Sequence, residues 1–272
     1  MNMIRPSSEL IKDLTNAEIH YMVDRMTAIK ERPGNPEGVE VEQFGQALCL
    51  YSRSMPWPSF NTVKGLTSTD TGVLDQICEF YACRDRRAQF EIVPSYVDQN
   101  LLQQLADRGF YQSGFHTTLY TELSGRVFDE HELGSSIQVT ELTDDQFDTY
   151  ATIHCRGTGL PDSGIAPVAA NNRVLVDRPG WRFYLATVDG KPAAVGVMHI
   201  QDDLASLTFA ATLPEYRSLG LQQALLRQRI EDAKRHGCRL VIGQCAYLSQ
   251  SHRNMERVGM RIGYTRATWT SR

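Results

Sequence analysis

The order of predicted strands and helices in the second half of the chain constrains the fold most. Residues 136–272 begin with a strand (IQVTEL), a helix (DDQFDTYATIHCRG) and a loop rich in Gly, Pro and Asn, and two strands (WRFYLATV and PAAVGVMHI) follow, joined at Asp189-Gly190. Asp-Gly between such strands strongly indicates a β-hairpin. A strand (LASLTFAATL), a helix (QQALLRQRIEDAKRHG), a strand (LVIGQCA), a short helix (SHRNMERVG) and a final strand (RIGYTRATW) complete the order. This order predicts a mixed α/β domain.

The first half of the chain has a similar mixture of elements. Apolar residues at helical spacing predict one or two amphipathic helices in the first thirty or so residues, ended by the turn at 33–36. Strands are predicted in VEVEQFGQALCLYSR and AQFEIVP, and a helix from Val73 to Cys83 lies between them. A further helix with Ser95 as its cap ends at Gly109, and an alternating strand runs from Gly114 to Leu123.

A polar segment without periodicity, SGRVFDEHELGSS, separates the two halves and is the best linker candidate. With 272 residues, the chain is long enough for two domains of ordinary size. We place the boundary near residue 132. The predicted domains are therefore residues 1–132 and residues 133–272.

Composition and charge exclude several classes of protein. A hydrophobic fraction of 42% and a charged fraction of 22% are typical of a soluble globular protein. The net charge of -4 argues against a general electrostatic grip on nucleic acid. No long apolar run and no signal-peptide pattern is present in the sequence, so we expect no membrane partner and a cytoplasmic location. The six cysteines have neither CxxC nor zinc-finger spacing, which predicts reduced thiols and no metal site.

The junction from Ala211 to Leu225 is the segment that points to chemistry. A strand there gives way, through a proline turn, to a glycine-containing loop and a strongly helical segment. The first amides of a helix lack intrahelical partners and, with the positive end of the macrodipole, bind anions. Gly220 has no Cβ to keep a phosphate away, and Arg217 adds a positive charge. The sequence therefore predicts a phosphate-binding loop, although a plain surface turn before an amphipathic helix remains an alternative.

This junction and the elements around it resemble the GNAT superfamily of acetyl-CoA-dependent N-acyltransferases. The family signature is Arg or Gln, two residues, Gly, one residue, and then Gly or Ala. This chain has Arg217, Gly220 and, at the second small position, Gln222. The resemblance covers residues 136–272, because the segment NMERVGMRIGY also fits the closing helix and strand of the family.

The resemblance implies acetyl-CoA as the co-substrate and a set of residues that would bind it. The fourth strand of the family would separate from the fifth and offer backbone groups to the pantetheine arm, and the loop would bind the pyrophosphate. Asn254 would either bind a pantetheine amide or stiffen its loop. The implied CoA-binding residues are Ala211, Thr212, Leu213, Arg217, Ser218, Leu219, Gly220, Leu221, Gln222, Gln223, Ser249, Asn254 and Arg257.

The tyrosine that acts as general acid in many members of the family is absent. Counting back from Gly259-Met260 places Met255 at its position, and a thioether cannot donate a proton. Each possible substitute also has a structural interpretation: a helix cap for the serines, a buried thiol for the cysteine and a cleft wall for the tyrosine. The substitutes within reach are Tyr247, Ser249, Cys245, Ser251 and His252.

The sequence does not single out a general base. The fourth strand holds no acid, so one common location in the family is empty. His154, Asp162, Asn171 and Asn172 lie where the resemblance places the substrate loop. A loop rich in glycine and proline can equally serve as a lid or a wall.

The first half resembles a degenerate copy of the same fold. Its segment LLQQLADRGFYQSGFHTTLY matches the closing helix and strand, with Gly109-Phe110 as the Gly-Phe pair. Residues 61–75 lack the Arg-x-x-Gly-x-Gly pattern, so we expect a structural role. The architecture resembles the bacterial tandem-GNAT proteins. The predicted fold class is α/β with a mixed α+β sheet, in two GNAT-like domains that each have a central sheet flanked by helices.

These observations lead to one functional hypothesis and two alternatives. The hypothesis is an N-acyltransferase that moves an acetyl group from acetyl-CoA to a primary amine of a small molecule or peptide, by direct attack in a ternary complex. It would be a monomer or homodimer. A catalytically weak CoA-binding sensor or scaffold is the first alternative, motivated by Gln222 and the missing tyrosine. An interaction protein with two degenerate halves is the second.

Overall fold

The computed structural model describes residues 6–55, 57–125 and 136–271. The chain forms two compact units that are not contiguous in sequence. Unit 1 comprises Met1–Thr118, Cys245–Tyr247 and Ile262–Arg272, and unit 2 comprises Leu119–Gln244 and Leu248–Arg261. The predicted linker and the boundary near residue 132 fall largely within residues 126–135, outside the described residues, so the division into 1–132 and 133–272 stays a prediction.

The secondary structure is numbered here in chain order. The helices are α1 Ser8–Lys30, α2 Leu74–Ala82, α3 Gln99–Asp107, α4 Phe147–Thr158, α5 Ile165–Arg173, α6 Leu221–Arg235 and α7 Gln250–Arg257. The strands are β1 Val39–Phe44, β2 Ala47–Ser52, β3 Val63–Lys64, β4 Gln89–Ile92, β5 Phe110–Glu122, β6 Ile137–Glu141, β7 Trp181–Val188, β8 Lys191–Gln201, β9 Leu204–Thr212, β10 Leu240–Ala246 and β11 Arg261–Ser271. None of the described helices is long and apolar enough to cross a membrane.

Unit 1 is built on a mixed sheet. Its strand order is β1-β2-β3-β4-β11-β5; β1 and β2, β2 and β3, and β4 and β11 pair antiparallel, whereas β3 and β4 are parallel at Val63 and Phe90. Buried apolar side chains of α2 and α3, such as Leu74 and Leu101, pack in the same core as Phe90. The last strand, predicted as part of the second domain, belongs mostly to unit 1, where Ala267 pairs with Ile92.

A buried ionic cluster lies in unit 1. Lys64 Nζ contacts Glu18 Oε1 at 2.8 Å and Glu91 Oε2 at 2.5 Å. Arg266, from β11, forms an ion pair with Glu18, and its Nε lies 3.2 Å from Glu91 Oε2. Burial alone would raise the pKa of Glu18, but the charges of Arg266 and Lys64 outweigh it and hold this pKa well below its usual range. His116 completes the cluster, with Nδ1 at 3.4 Å from Arg266 Nη2.

Unit 2 is also a mixed sheet flanked by helices. Strands β6, β7, β8 and β9 pair antiparallel in this order, and β9 pairs parallel with β10. The predicted hairpin between β7 and β8 is confirmed: Asp189 and Gly190 both have positive φ, at 49° and 74°, as the favoured two-residue turn requires. Both α4 and α6 pack on β8 and β9. The predicted fold class is therefore confirmed.

Two local predictions are wrong. The cap of α3 is Asp98, whose side chain accepts a hydrogen bond from Leu101 N, and Ser95 lies before it. The segment expected to be a loop after α4 contains helix α5, with Pro167 in its first turn. Proline is tolerated there because the first amides of a helix need no intrahelical acceptor.

The six cysteines are free thiols, and most of them are buried.

Candidate functional site

The ladder between the parallel strands β9 and β10 ends partway along β9. Its last pair is Leu207 and Gly243, and β9 continues to Thr212. Met255 of α7 packs against β10 at this point, because its Cε lies 2.9 Å from the position that a Cβ on Gly243 would occupy. The thioether thus fills the space above the last paired residue of β10.

Strand β9 carries a β-bulge directly after this point. The register of β8 and β9 shifts between Val195 and Val197, so that Phe209 and Ala210 of β9 face the single residue Gly196 of β8. Phe209 has φ +45°, which is uncommon for a residue with a side chain. A bulge takes its extra residue out of the ladder and redirects the backbone groups next to it. The sequence carries no signal for this bulge, because nothing marks Phe209 as a residue with positive φ.

The loop between β9 and α6 ends in an uncapped helix N-terminus. Ser218 and Gly220 adopt left-handed conformations, with φ of 67° and 86°, and Gly220 is the N-cap residue without a side-chain cap. The first intrahelical bond is donated by Ala224 N to Gly220 O. The amides of residues 221–223 therefore point out of the helix end, where they can bind an anion. No protein atom lies within 4 Å of a Cβ placed on Gly220, so the space beside it is open.

Two side chains of the predicted phosphate loop contact neighbouring elements. Gln222 Nε2 donates a hydrogen bond to Thr212 Oγ1 at 2.8 Å, so this side chain turns towards β9 and leaves the face of the amides clear. Arg217 Nη2 donates to the carbonyl oxygen of Gly157 near the C-terminus of α4, at 2.9 Å. The guanidinium thus ties the loop to α4 and remains exposed.

The backbone groups of residues 211–213, where β9 ends, differ in whether they are free to bind a pantetheine arm. Leu213 N donates to Ala193 O, and Leu213 O accepts from Tyr216 N, both at 3.0 Å. The amide of Leu213 is therefore engaged within the protein, and a ligand contact there would go to the second lone pair of its carbonyl oxygen. Ala211 and Thr212 pair with β8 in the antiparallel ladder.

The predicted residues near α7 have defined local roles. Ser249 is the N-cap of α7, and its Oγ accepts from His252 N at 3.2 Å. The buried His252 accepts from Leu248 N at its Nδ1, at 3.1 Å, which fixes the preceding turn. Asn254 Oδ1 accepts from Gln250 Nε2 at 3.1 Å. The other candidate on this helix, Arg257, is exposed in its last turn.

Cys245 and Tyr247, two of the candidate proton donors, are grouped with unit 1. The Cys245 side chain is buried, near the end of β10. Tyr247 follows the strand and is 49% exposed. The CoA-binding candidates 211–223 and Ser249 are grouped with unit 2.

The first two candidates for a general base are already engaged. Asp162 accepts two hydrogen bonds from Arg156, at 3.1 and 2.8 Å. These bonds and the charge of Arg156 lower the pKa of Asp162, which makes the carboxylate a weaker base. His154 stacks on Tyr150, with ring centroids 5.8 Å apart.

Asn171 and Asn172, the other residues predicted for the substrate loop, lie in α5. Both are buried, and Asn172 Nδ2 donates to Val168 O at 2.7 Å. Their placement in a packed helix indicates a structural role. Among the described residues, no three His, Cys, Asp or Glu side chains come together as a group that could hold a metal ion.

The second half of the chain matches a known family. Residues 143–260 match the family model described as Acetyltransferase (GNAT) family. This range contains the bulge of β9, the predicted phosphate loop and α7. No curated protein sequence matches the chain.

Solved structures with the same fold cover almost the whole chain. A GCN5-related N-acetyltransferase from Kribbella flavida is 15% identical, with a TM-score of 0.69, over 95% of this chain and 94% of that one. A GCN5-related N-acetyltransferase from Sphaerobacter thermophilus is 13% identical, with a TM-score of 0.64, over 98% and 94%. A tandem GNAT protein from the clavulanic acid biosynthesis pathway is 15% identical, with a TM-score of 0.60, over 98% and 97%. At these identities the likeness shows the fold alone.

Proposed function

We propose that the chain, whose residues 143–260 belong to the GNAT family of acetyltransferases, transfers an acetyl group from acetyl-CoA to a primary amine of a small molecule or a peptide. One observation carries the proposal. An uncapped helix N-terminus, preceded by two left-handed residues and open space at Gly220, lies at the end of the strand that bears the bulge. We further propose a bacterial, cytoplasmic protein, monomeric or homodimeric, that needs neither metal nor nucleic acid.

The pyrophosphate of CoA would bind at the N-terminus of α6. The amides of residues 221–223 would donate to its oxygens, together with the backbone and hydroxyl of Ser218 and the backbone of Leu219 and Gly220. Arg217 is exposed beside this loop and would add charge at long range or turn from Gly157 to the phosphate. Each helix-end interaction contributes about 0.3–1 kcal/mol, so several donors together would hold the dianion.

The acetyl group would lie at the bulge of β9. Backbone amides there would polarise the thioester carbonyl, and the neutral amine would attack its carbon. The C–N bond forms, the C–S bond breaks, the amine loses a proton to base or water, and the CoA thiolate leaves and is protonated. Positioning of the amine against the thioester would supply most of the acceleration, about 7–11 kcal/mol at best.

The proton donor to the thiolate remains open among Tyr247, Cys245 and Ser249. Substitution of each by the residue that lacks only the acidic group, Tyr247→Phe, Cys245→Ala and Ser249→Ala, would separate them. Loss of a general acid lowers kcat about 100-fold or more. Loss of the Ser249 cap alone lowers stability by about 1 kcal/mol and leaves kcat unchanged. We expect a large loss of kcat in at most one variant.

An acetyl-transfer assay tests the proposal. The full chain would be incubated with acetyl-CoA and a library of primary amines, and release of free CoA thiol would be followed. Thiol release that depends on one class of amine, together with acetylated product by mass spectrometry, supports the proposal. Binding of acetyl-CoA without turnover on any amine would contradict it.

A CoA-binding sensor or scaffold is the second candidate function. Met255, packed on Gly243 where many family members have the acidic tyrosine, favours this alternative. A sensor should bind acetyl-CoA and free CoA with different affinities, without consuming either. Equal affinity for the two ligands and amine-dependent thiol release would exclude it.

A further inference from the structure

Arg229 occupies a core position of α6. It follows Leu221 and Leu225 at intervals of four residues, on the face of the helix that packs against the sheet. The residue is 1% exposed, although its guanidinium is charged. Burial lowers the pKa of Arg229 to about 10, so the side chain remains protonated at neutral pH. A charge at a position that usually holds an apolar side chain is costly, which calls for a compensating role.

The hydrogen bonds of Arg229 go to backbone carbonyls. Nε donates to Leu225 O at 3.0 Å, and Nη1 donates to Val197 O at 2.9 Å. Among the described residues no carboxylate forms an ion pair with this guanidinium. Tyr184 is the main neighbouring titratable group, and burial raises its pKa to about 12, so the phenol stays neutral. The positive charge in the core of unit 2 is therefore not neutralised.

Gly196 makes the room for this guanidinium. A Cβ on Gly196 would lie 2.9 Å from Arg229 Cζ and 3.0 Å from Nη1, too close for any other residue without movement of the arginine. The guanidinium thus lies directly against the backbone of β8. Two positions, one on a helix and one on a strand, are matched to place this charge.

Gly196 is also the β8 residue that faces the bulge. The two bulge residues, Phe209 and Ala210, are opposite it, and Val197, whose carbonyl accepts from Arg229, forms the next pair with Thr208. The buried charge therefore lies against the residue of β8 that faces the shift in register between β8 and β9. This is also where the acetyl group would lie in the proposed reaction.

We propose that Arg229 is a positioning residue for acyl transfer, which holds β8 at the bulge and supplies positive potential behind the backbone that polarises the thioester carbonyl. The inference rests on the proposed function. The negative charge that develops on the carbonyl oxygen during attack would be stabilised by this fixed charge, whose field is weakly screened in the protein interior. The residue touches no reacting atom and acts through the backbone of the two strands.

The proposal separates stability from catalysis. Arg229→Met removes the desolvation cost of a buried charge and also the hydrogen bond to Val197 O, and these two effects on stability oppose each other. Arg229→Met should therefore change the midpoint of thermal unfolding little and leave the Kd for acetyl-CoA within about threefold, while kcat falls about tenfold or more. Arg229→Lys, which keeps the charge, should recover part of the loss. A merely structural arginine would give a lower unfolding midpoint, with no selective loss of kcat.

The test uses isotope-edited infrared spectroscopy of the full chain with [1-13C]acetyl-CoA, which needs no knowledge of the amine. In the wild type, the thioester carbonyl band should shift to lower frequency on binding. In Arg229→Met at least half of this shift should be lost. Arg235→Met is the matched control, because Arg235 lies on the same helix but its side chain is 67% exposed. The shift of the thioester carbonyl band in Arg235→Met should equal that in the wild type.

The outcomes are distinguishable. If wild-type protein binds no acetyl-CoA, the proposed function fails. If it binds and the carbonyl shift is the same in Arg229→Met, the role of Arg229 is refuted while the proposed function stands. If Arg229→Met does not fold, Gly196→Ala replaces it, because the added Cβ displaces the flexible end of Arg229 from the bulge. An unchanged carbonyl shift in that variant would overturn the inference.

Discussion

Gln222 Nε2 donates a hydrogen bond to Thr212 Oγ1 over 2.8 Å, and this contact joins the first turn of α6 to the last residue of β9. Gln222 occupies the position where the family signature has Gly or Ala. Because the side chain bends back towards the strand, the helix amides stay uncovered. A larger residue at this position is thus compatible with an anion at the end of α6.

The first prediction concerns this hydrogen bond. In Gln222→Ala, the affinity for CoA should change by less than about threefold, since the lost hydrogen bond contributes only about 0.5–1.5 kcal/mol to stability and does not touch the ligand. Calorimetric titration of both proteins with CoA measures the effect. A tenfold weaker affinity in the variant would mean that the amide side chain itself binds the pyrophosphate.

The second prediction concerns the left-handed N-cap of α6. In Gly220→Ala, the added Cβ meets no protein atom within 4 Å, but φ of 86° strains it by about 1–2 kcal/mol. The strain shifts the loop, and the Cβ projects into the space that the phosphate would use. We expect CoA affinity to fall at least tenfold, measured by titration.

Gly237→Ala is a matched control for Gly220→Ala. Gly237 has φ of 76°, also has no atom within 4 Å of its missing Cβ, and follows the other end of α6. Its substitution should lower the free energy of unfolding by a similar amount while CoA affinity stays unchanged. Equal losses of affinity in the two variants would show that strain in the helix, rather than a ligand at its N-terminus, governs binding.

The third prediction concerns the charge at Arg217. Arg217→Glu places a carboxylate beside the anion site and removes the bond to Gly157 O. CoA affinity should fall tenfold or more, which corresponds to about 1.4 kcal/mol. The difference should shrink at high salt, because charges at an exposed site are screened.

Arg261→Glu makes the same charge change away from the loop. Arg261 is exposed at the start of β11 and is grouped with unit 2. We expect its CoA affinity to match the wild type within about twofold, because the field of an exposed charge outside the loop is screened by solvent and salt. Arg217→Glu binding as tightly as Arg261→Glu would remove Arg217 from the site.

The fourth prediction concerns His116 in the ionic cluster of unit 1. Burial, and secondarily the charge of Arg266, lower the pKa of His116 to about 4, whereas an unfolded histidine titrates near 6.5. Between these values the unfolded chain binds a proton that the folded chain does not. Folding stability therefore rises with pH in this window, by up to about 1.4 kcal/mol per pH unit, and falls on acidification.

His116→Gln should remove this part of the pH dependence. Glutamine can still accept a hydrogen bond from Arg266 but does not titrate. Urea unfolding at several pH values between 4.5 and 7.5, compared between wild type and variant, isolates the contribution of His116 from that of the other histidines. Parallel stability curves across the window would contradict the burial of a neutral His116 in the folded protein.

Local sequence signals were sufficient for much of the secondary structure. Helical spacing predicted α1 and α6, and Asp189-Gly190 predicted the hairpin, because these features depend on neighbours along the chain. Helix α5 is not predicted because Gly164 and Pro167 resemble loop residues, whereas in the structure Gly164 is the N-cap of the helix and Pro167 lies in its first turn. The cap of α3 was misplaced by three residues, since Ser95 and Asp98 are both good N-caps.

Features that depend on tertiary pairing could not be predicted. The sequence predicts β11 as a strand, but its partner β4 in unit 1 is far away in the sequence. The engagement of Leu213 N by Ala193 O depends on the register of β8 and β9, which a pattern of apolar residues does not specify. Arg229 is visible in the sequence as a charged residue within the apolar stripe of α6. Only the structure shows that its guanidinium lies against Gly196 of β8.

Calorimetric titration of the full chain with acetyl-CoA measures whether the N-terminus of α6 binds this ligand. We expect saturable one-site binding with a Kd of tens of micromolar or tighter, weakened at least tenfold by Gly220→Ala and unchanged by Gly237→Ala. Since a Kd of about 1 mM corresponds to only about 4 kcal/mol of binding free energy, the several amides at α6 should exceed it. No saturation up to about 1 mM acetyl-CoA would contradict both the transferase and the sensor.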